Sequence, residues 1–359
     1  MRALLLAGGS GTRLRPITYT RNKHMIPIAN KPLLLHGLEH LVNAGIKEVA
    51  IVLGQVKDEI IKTLGDGSSF GIDITYIDQP QPKGLAHAVK IAQDFLGDDP
   101  FIMYLGDILI EQDLKRLMEK YQNERSDCII CTTQVNNPSE YGIVEINHRG
   151  NIERLIEKPK ASTSNLALAG IYLFNKSIFD AINNINPSWR NELEITDAIQ
   201  YLLESGKEIS IHEIEGWWKD TGRPNDMLHA NRLVLDQIEP AVNGNIQSTP
   251  VFIGKVNVGT NATVGPEVVI KGPCVIGDNC NIAGTVHIGP YASIGNNTQV
   301  LSGDIENSIV MSNCVINCRR RIVDSIIGSG SNVKSSEDNI DSKFSELQLL
   351  VGDNTSMIV

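Results

Sequence analysis

From Phe252 to Val300 a large apolar residue recurs every six positions without a slip: Phe252, Val258, Val264, Ile270, Ile276, Ile282, Ile288, Ile294 and Val300. Two places before each, from Val258 onward, stand Val256, Ala262, Val268, Cys274, Cys280, Val286, Ala292 and Thr298, all short side chains. Glycine follows the large residue at 259, 265, 277, 289 and 295. Neither a helical nor a simple strand period produces this pattern. A hexapeptide array is the signature of a parallel β-helix, whose coils bury one large and one small residue per face. Both series are expected to point inward, with glycine relieving the corners. Cys274 and Cys280 fall in the small inward series, so they read as core residues and not as a disulfide. After residue 300 the register drifts, although Ile309 and Val315 are again six apart, and a distorted cap is expected there.

The chain ahead of this array follows a different rule. "RALLLAGG", "EVAIVLG", "DITYIDQ", "FIMYLGD" and "DCIICTT" read as strands, and "PLLLHGLEHLVNAG", "KDEIIKTLG", "GLAHAVKIAQDFLG" and "DLKRLMEKYQNE" between them read as helices. Such alternation predicts an α/β, Rossmann-like domain, a mainly parallel sheet covered on both faces, with ligands at the carboxyl ends of its strands. The Pro-, Asn- and Gly-rich run "DQIEPAVNGNIQSTP" breaks the pattern. It divides the 359 residues into a domain over 1–240 and a β-helix over 245–359.

Charge narrows the partners. The net charge is −10, which argues against nucleic acid, since phosphate backbones need broad basic surfaces. No apolar run reaches the length of a membrane span, and "ALLLA" is too short for a signal-peptide core, so a cytoplasmic protein away from membranes is expected. The pair Cys128 and Cys131 has the spacing of a metal or redox motif. It lies in a β-branched apolar run, however, and no second Cys/His pair supplies the missing ligands. Buried strand cysteines are the better reading.

Against this acidic background the first segment is purely basic. Arg2, Arg13, Arg15, Arg21, Lys23 and Lys31 all precede the first carboxylate, Glu39. Through the same segment runs "GGSGTR", a glycine cluster after a strand, where backbone N–H groups can approach an anion closely. The dinucleotide fingerprint fails at Leu14, and the Walker loop lacks its Lys-Ser/Thr pair. With Arg13 and Lys23 free to converge, the stretch reads as a polyphosphate site.

"GGSGTRLRPIT" followed by "KHMIP" resembles the signature of sugar-1-phosphate nucleotidylyltransferases. "QPQPKGLAHA", "YLGD", "EYGIVE", "IEKP", "ELEITD" and "WWKDTG" then occur in the order and spacing of glucose-1-phosphate thymidylyltransferases. "RRRIVDSIIG" and "LVGDN" extend the likeness to the C-terminus, as in the long form that carries an added left-handed β-helix. The resemblance implies that Gly8, Gly9, Gly11 and Thr12 wrap a nucleoside triphosphate. Arg13 would bridge its phosphates, and Lys23 would hold departing pyrophosphate. Gln79 and Gly84 would read the base edge, with Leu85 packed beside it. Gly142, Glu157, Gly170 and Tyr172 would line the sugar pocket, Lys158 and Arg190 would grip the sugar phosphate, and Asp107 with Asp220 would hold Mg2+. Two positions depart from the family pattern: Ile108 where Asn is usual, and Asn191 where Gly is frequent.

The implied reaction joins dTTP, with UTP as the alternative nucleotide, to glucose 1-phosphate, giving dTDP-glucose and pyrophosphate. A sugar phosphate is already largely ionised at pH 7, so no general base is demanded, and positioning with electrostatics carries the catalysis. Two rival classes remain open. Hexapeptide helices also occur in acyltransferases, including bifunctional ones, for which His287 is the only histidine in the array; it reads as an outward surface residue. A non-catalytic homologue would have lost part of the set Arg13, Lys23, Asp107, Lys158 and Asp220, which is complete. The array holds no cluster of ionisable residues, so it reads as architectural and as a means of forming a homo-oligomer. A chain cut near Asn243 is accordingly expected to keep nucleotidyl transfer.

Overall fold

A computed structural model describes residues 1–124, 126–246, 250–336 and 346–359. The chain divides into two compact units, Met1–Ser10 with Leu34–Asp220, and Gly11–Leu33 with Thr221–Val359. No helix among the described residues is long and apolar enough to cross a membrane.

In the first unit the strands Asp73–Asp78, Glu48–Leu53, Arg2–Ala7 and Phe101–Leu105 lie side by side in parallel. Continuous apolar runs such as "ALLL" bury both faces: Ala3, Leu4 and Leu5 are all 0% exposed. Leu4, Leu6, Val52 and Met103 pack with Ala86, Val89, Ile178 and Ile199, from three helices. On the other face the helix Leu33–Asn43 comes close enough that a Cβ on Gly37 would stand 3.1 Å from the Tyr104 ring. The sheet then turns antiparallel. Leu166–Phe174 joins Phe101–Leu105, Cys128–Gln134 and Gly142–Ile146 in that sense, and Ile209–Glu213 returns parallel to Cys128–Gln134. Cys128 and Cys131 are fully buried in their strand, as the run around them suggests, and burial raises both thiol pKa values.

In the second unit the strands form parallel stacks. Val256, Cys274 and Ala292 are successive register partners, each 18 residues after the last, so three hexapeptides make one coil. Both sequence series are buried from Val256 to Val300. The glycines meet the expectation only in part: of the five repeat glycines, Gly289 alone has a positive φ, +92°. Regularly repeated left-handed corners belong to Asn261, Asn279, Asn297 and Asn313, with φ of 59°, 54°, 58° and 63°. Their side chains form a ladder, with Nδ2 donating to the next Oδ1 at 3.2–3.3 Å. Asparagine tolerates this backbone region, and its amide repeats along the stack. Glycine is needed for another reason: a Cβ on Gly277 would stand 2.7 Å from the backbone N of Asn296. Coils approach too closely there for any side chain.

The drift after residue 300 is not a cap. Long strands Gln299–Glu306 and Val315–Val323 carry irregular register, and parallel coils continue beyond them to Leu350–Val351 and Ser356–Ile358. Coil spacings of 15 to 17 residues, and then of 24, replace 18, which is what hides the continuing repeat.

The contacts also regroup the sequence division at 240–245. The helix Pro224–Leu235 and the basic segment Gly11–Leu33 belong with the β-helix. Asn30 Nδ2 donates to Ile294 O at 2.7 Å, and buried Asn231 accepts from Ala29 N–H and Ser293 Oγ, both at 2.8 Å. A cut near Asn243 removes Ser293 and Ile294, so the array is more than a passive extension for residues 11–33.

Candidate active site

The loop begins where two parallel strands end together. Leu6 pairs with Leu105, and Gly106 N–H donates to Leu6 O at 2.9 Å. Gly8 and Asp107 therefore start from neighbouring carboxyl ends, the place where such sheets bind ligands. A Cβ on Gly8 would stand 3.3 Å from Gln79 Oε1. Gln79 Nε2 donates to Gly84 O at 3.2 Å and lies 2.9 Å from His87 Nδ1. Burial, then the charges of Lys83 and Lys90, lower the His87 pKa. The neutral ring can accept from Nε2, which leaves Gln79 Oε1 turned toward the loop. Gly84 has φ +99°, and a Cβ there would stand 2.3 Å from Leu193 O, so only glycine fits. Leu85 opens the helix Leu85–Ile91 and packs on the core. Gly8, Gln79, Gly84 and Leu85 are thus brought together, and Gly9 is exposed beside them.

A second cluster in the same unit surrounds Glu157. This residue ends the strand Ile152–Glu157 opposite Gly142, and Thr196 Oγ1 donates to its Oε2 at 2.8 Å. Lys158 Nζ lies 3.7 Å and Arg190 Nη2 3.5 Å from Glu157 Oε1. Lys158 has φ +45°, a strained backbone for a lysine, with its N–H donating to Tyr141 O at 3.0 Å. Arg190 is held by Glu194 through two bonds, Nε to Oε1 at 2.9 Å and Nη2 to Oε2 at 2.7 Å, with Glu192 at 2.9 Å. These hydrogen bonds raise its pKa, while burial raises that of Glu192. Asn191, the departure from the family pattern, has φ +60°, which asparagine accepts almost as readily as glycine.

Not every sugar-side residue is available. Tyr172 is 2% exposed, stacked on Phe174 at 5.6 Å, and burial raises its phenol pKa. It belongs to the core and offers no face to a ligand. Gly170 lies in the irregular stretch of its strand between Leu168 and Tyr172, against Ile108 and Leu105. Three residues escaped sequence reasoning: Thr196, Glu194 and Trp218, whose Nε1 donates to Ala169 O at 2.8 Å. Their signals are the i, i+4 spacing of Arg190 and Glu194 and the motifs "ELEITD" and "WWKDTG" that contain all three.

Asp107 and Asp220 are brought to one end of a small ribbon. The short strands Ile108–Ile110 and Trp218–Asp220 form an antiparallel pair, with Asp220 opposite Ile108. Asp220 therefore lies opposite the residue that follows Asp107. Ile108 is 4% exposed and holds the ribbon rather than contributing a donor. Among the described residues no group of three His, Cys, Asp or Glu could cage a metal. Two carboxylates alone fit a hard divalent cation that takes its remaining oxygens from phosphates and water.

Arg13 and Lys23 lie in the second unit. Among the described residues, no backbone N–H of Ser10, Gly11, Thr12 or Arg13 donates to a protein carbonyl, which leaves these groups for an anion. Thr12–Leu14 form a single 3-10 turn led by Gly11. A Cβ on Gly11 would stand 3.0 Å from Lys23 Cβ, and one on Gly222 would stand 2.7 Å from Arg13 Nη2. Gly11, Lys23 and Thr18 are therefore packed together, and Arg13 lies over Gly222. Lys23 opens a further 3-10 turn, Lys23–Met25, capped by buried Asn22, whose Oδ1 accepts from His24 N–H at 2.9 Å and lies 2.7 Å from His24 Nδ1. Asn22 and His24 were not singled out by the sequence.

Residues 2–237 match the family model described as nucleotidyl transferase. The chain belongs to the nucleotidyl transferase family. The glucose-1-phosphate thymidylyltransferase of Streptomyces antibioticus is 45% identical to this nucleotidyltransferase over 94% of each chain. The low-salt glycan biosynthesis nucleotidyltransferase Agl11 of Haloferax volcanii is 44% identical over 99% of each. The bifunctional protein GlmU of Methanococcus maripaludis is 34% identical, over 98% of this chain and 83% of its own. Among solved structures, a Bacillus anthracis protein described as a glucose-1-phosphate thymidylyltransferase, crystallised with sucrose, aligns with a TM-score of 0.63 at 33% identity. That alignment covers 67% of this nucleotidyltransferase and 97% of the other chain.

Proposed function

We propose that this nucleotidyltransferase transfers a thymidylyl group from dTTP to glucose 1-phosphate, giving dTDP-glucose and pyrophosphate. The observation that carries this reading is the common end of the strands at Leu6 and Leu105. One strand leads to the glycine loop beside Gln79, and the other leads to Asp107, just ahead of the ribbon in which Ile108 pairs with Asp220. In the reaction a phosphate oxygen of glucose 1-phosphate attacks the α-phosphorus. The new P–O bond forms as the bond to the β-phosphate breaks, and pyrophosphate departs with that electron pair. Gly8, Gly9, Gly11 and Thr12 hold the triphosphate through backbone N–H groups. Arg13 offsets charge at the α-phosphorus, and Lys23 binds the leaving pyrophosphate. Gln79 and Gly84 read the base edge, while Leu85 packs beside the base. Glu157 with Gly142 and Gly170 orients the sugar. Lys158 binds its phosphate, joined by Arg190 once Glu194 and Glu192 yield part of their hold.

A divalent cation, which we take as Mg2+, would be held by Asp107 and Asp220 and would supply charge neutralisation on the phosphates. The names of the thymidylyltransferase relatives support the choice of dTTP and glucose 1-phosphate. The test is a matrix of nucleoside triphosphates against sugar 1-phosphates, read by pyrophosphate release. The dTTP and glucose 1-phosphate pair should lead, with UTP poorer by roughly 10- to 200-fold, the worth of one methyl contact. If no pair releases pyrophosphate, the reading fails. Acetyl transfer has weaker support: His287 is an exposed residue paired with Asp304 at 2.8 Å, and an acetyl-CoA assay on a sugar phosphate checks it.

A further inference from the structure

The basic segment has a second anchor, near the very end of the chain. Asp353 follows the strand Leu350–Val351, and its two carboxylate oxygens do different work. Oδ1 accepts from Ser329 N–H at 2.8 Å and ties one coil to the next. Oδ2 accepts from Thr20 Oγ1 at 3.0 Å and faces Arg21 Nε at 3.5 Å. Arg21 Nη2 also donates to Ser329 Oγ at 3.0 Å. The Arg21 and Asp353 side chains are only 16% and 10% exposed, so water screens this pair far less than a surface pair.

Apolar packing does not fill this side. A cleft of about 420 Å³ lies beside the contact, lined by Pro16, Tyr19, Leu350, Asp353, Thr355 and Met357. The polar contacts of Asp353 and Ser329 therefore do much of the holding here, helped by one close backbone approach, since a Cβ on Gly352 would stand 3.3 Å from Pro16 O. Lys23 comes two residues after Arg21, on the turn capped by Asn22. Past Lys23 the segment is pinned again, by Asn231 to Ala29 and by Asn30 to Ile294. A stretch fixed at both ends leaves Lys23 little freedom, and a misplacement of about 1 Å in such a group can cost up to a hundredfold in rate.

We propose that Asp353 is a positioning residue for the nucleotide site, setting the place of Lys23 through Thr20 and Arg21. The inference rests on the reading of Lys23 as the pyrophosphate ligand. Its test uses the full-length Asp353→Asn protein. The amide keeps an oxygen to accept from Ser329 N–H, so the coil stays tied, but it removes the acceptor that faces Thr20 and Arg21. Hydrogen exchange should rise at residues 20–25 without substrate, and the unfolding temperature should hold. The KM for the triphosphate should rise roughly tenfold, while the KM for the sugar phosphate stays unchanged. Arg21→Met, altered on the segment side, should give the same pattern and stands in if Asp353→Asn does not fold. Unchanged exchange at residues 20–25 overturns the proposal, as does a fall in unfolding temperature with both KM values unchanged. The exchange readout needs no turnover, so it judges the proposal even if the substrate matrix sinks the assigned reaction.

Discussion

In the β-helix, a residue's surroundings follow from its place within an 18-residue coil; in the strand–helix unit, they follow from where a strand stops. Ile276 is buried because it holds the same coil position as Val258 and Ile294, its register partners. Glu157, Lys158 and Asp107 have no such equivalents. Each sits where a strand has ended, in a conformation set by neighbours far away in sequence. The repeat supplies many copies of one environment, and the strand ends supply single environments, which is where chemistry can be placed.

The largest test of this contrast removes core volume from each unit. Ile276→Ala and Leu5→Ala both empty fully buried sites and should each cost about 2–5 kcal/mol. Because coils touch chiefly their neighbours, exchange in Ile276→Ala should rise mainly in Val256–Val258, Cys274–Ile276 and Ala292–Ile294. Leu5→Ala should loosen the whole parallel sheet. Uniform loosening of the β-helix would erase the distinction.

A charge at a strand end comes next. Asp220→Asn keeps the ribbon's shape but weakens the cation site, so kcat should fall about a hundredfold, or about 2.7 kcal/mol. Triphosphate binding should change much less, and magnesium should saturate the mutant at higher concentration. Normal kcat with normal magnesium dependence would show that Asp220 has no share in the metal.

Smaller effects are expected where one environment is repeated. Asn279→Gly removes one amide from the ladder but suits φ 54°, and should cost less than about 1 kcal/mol. Asn279→Ala adds left-handed strain of about 1 kcal/mol and should be the worse of the two in thermal unfolding. Equal losses would mean that the ladder, not the backbone, selects asparagine.

The thiols should respond least near neutrality. Burial pushes Cys274 up to about 12 and Cys314 up to about 11. The folded state thus favours their neutral form. That stability is complete below the unfolded thiol value near 9 and is lost as pH rises through the folded values. Alkylation at pH 8 should fail on the native protein and succeed after denaturation. Rapid native labelling would place those thiols outside the core.

Much of this architecture is legible in the sequence because hydrophobic period is a local property. The strands at Arg2, Glu48, Asp73, Phe101 and Cys128 match their apolar runs, and the hexapeptide series is buried from Val256 to Val300. The errors are equally physical. The spacing makes glycine the corner residue, yet of the five repeat glycines only Gly289 has a positive φ and asparagine holds the repeated left-handed corners, because spacing alone does not separate a turn from a close approach. Tyr172, which the resemblance implies in the sugar pocket, faces the core, since a strand's two faces look alike when both are buried. The placement of Asp220 opposite Ile108, next to Asp107, depends on a three-residue ribbon too short to leave a period. Arg21 and Asp353 are 332 residues apart, and no local pattern announces that contact.

The stacking of the coils makes the β-helix a ruler. The strands Ala292–Ile294, Ile309–Val310, Ile326–Ile327 and Leu350–Val351 follow one another in a single sheet. Three steps at the spacing of hydrogen-bonded strands span about 14 Å. Asn30 reads this scale near one mark, at Ile294, and Arg21 reads it near the other, at Asp353. The length is quantised: deleting one coil between the marks shortens it by about 5 Å. Insertions of whole coils beyond the marks leave that interval untouched, so the outer array is free to vary in size while the interval that gauges the basic segment is not.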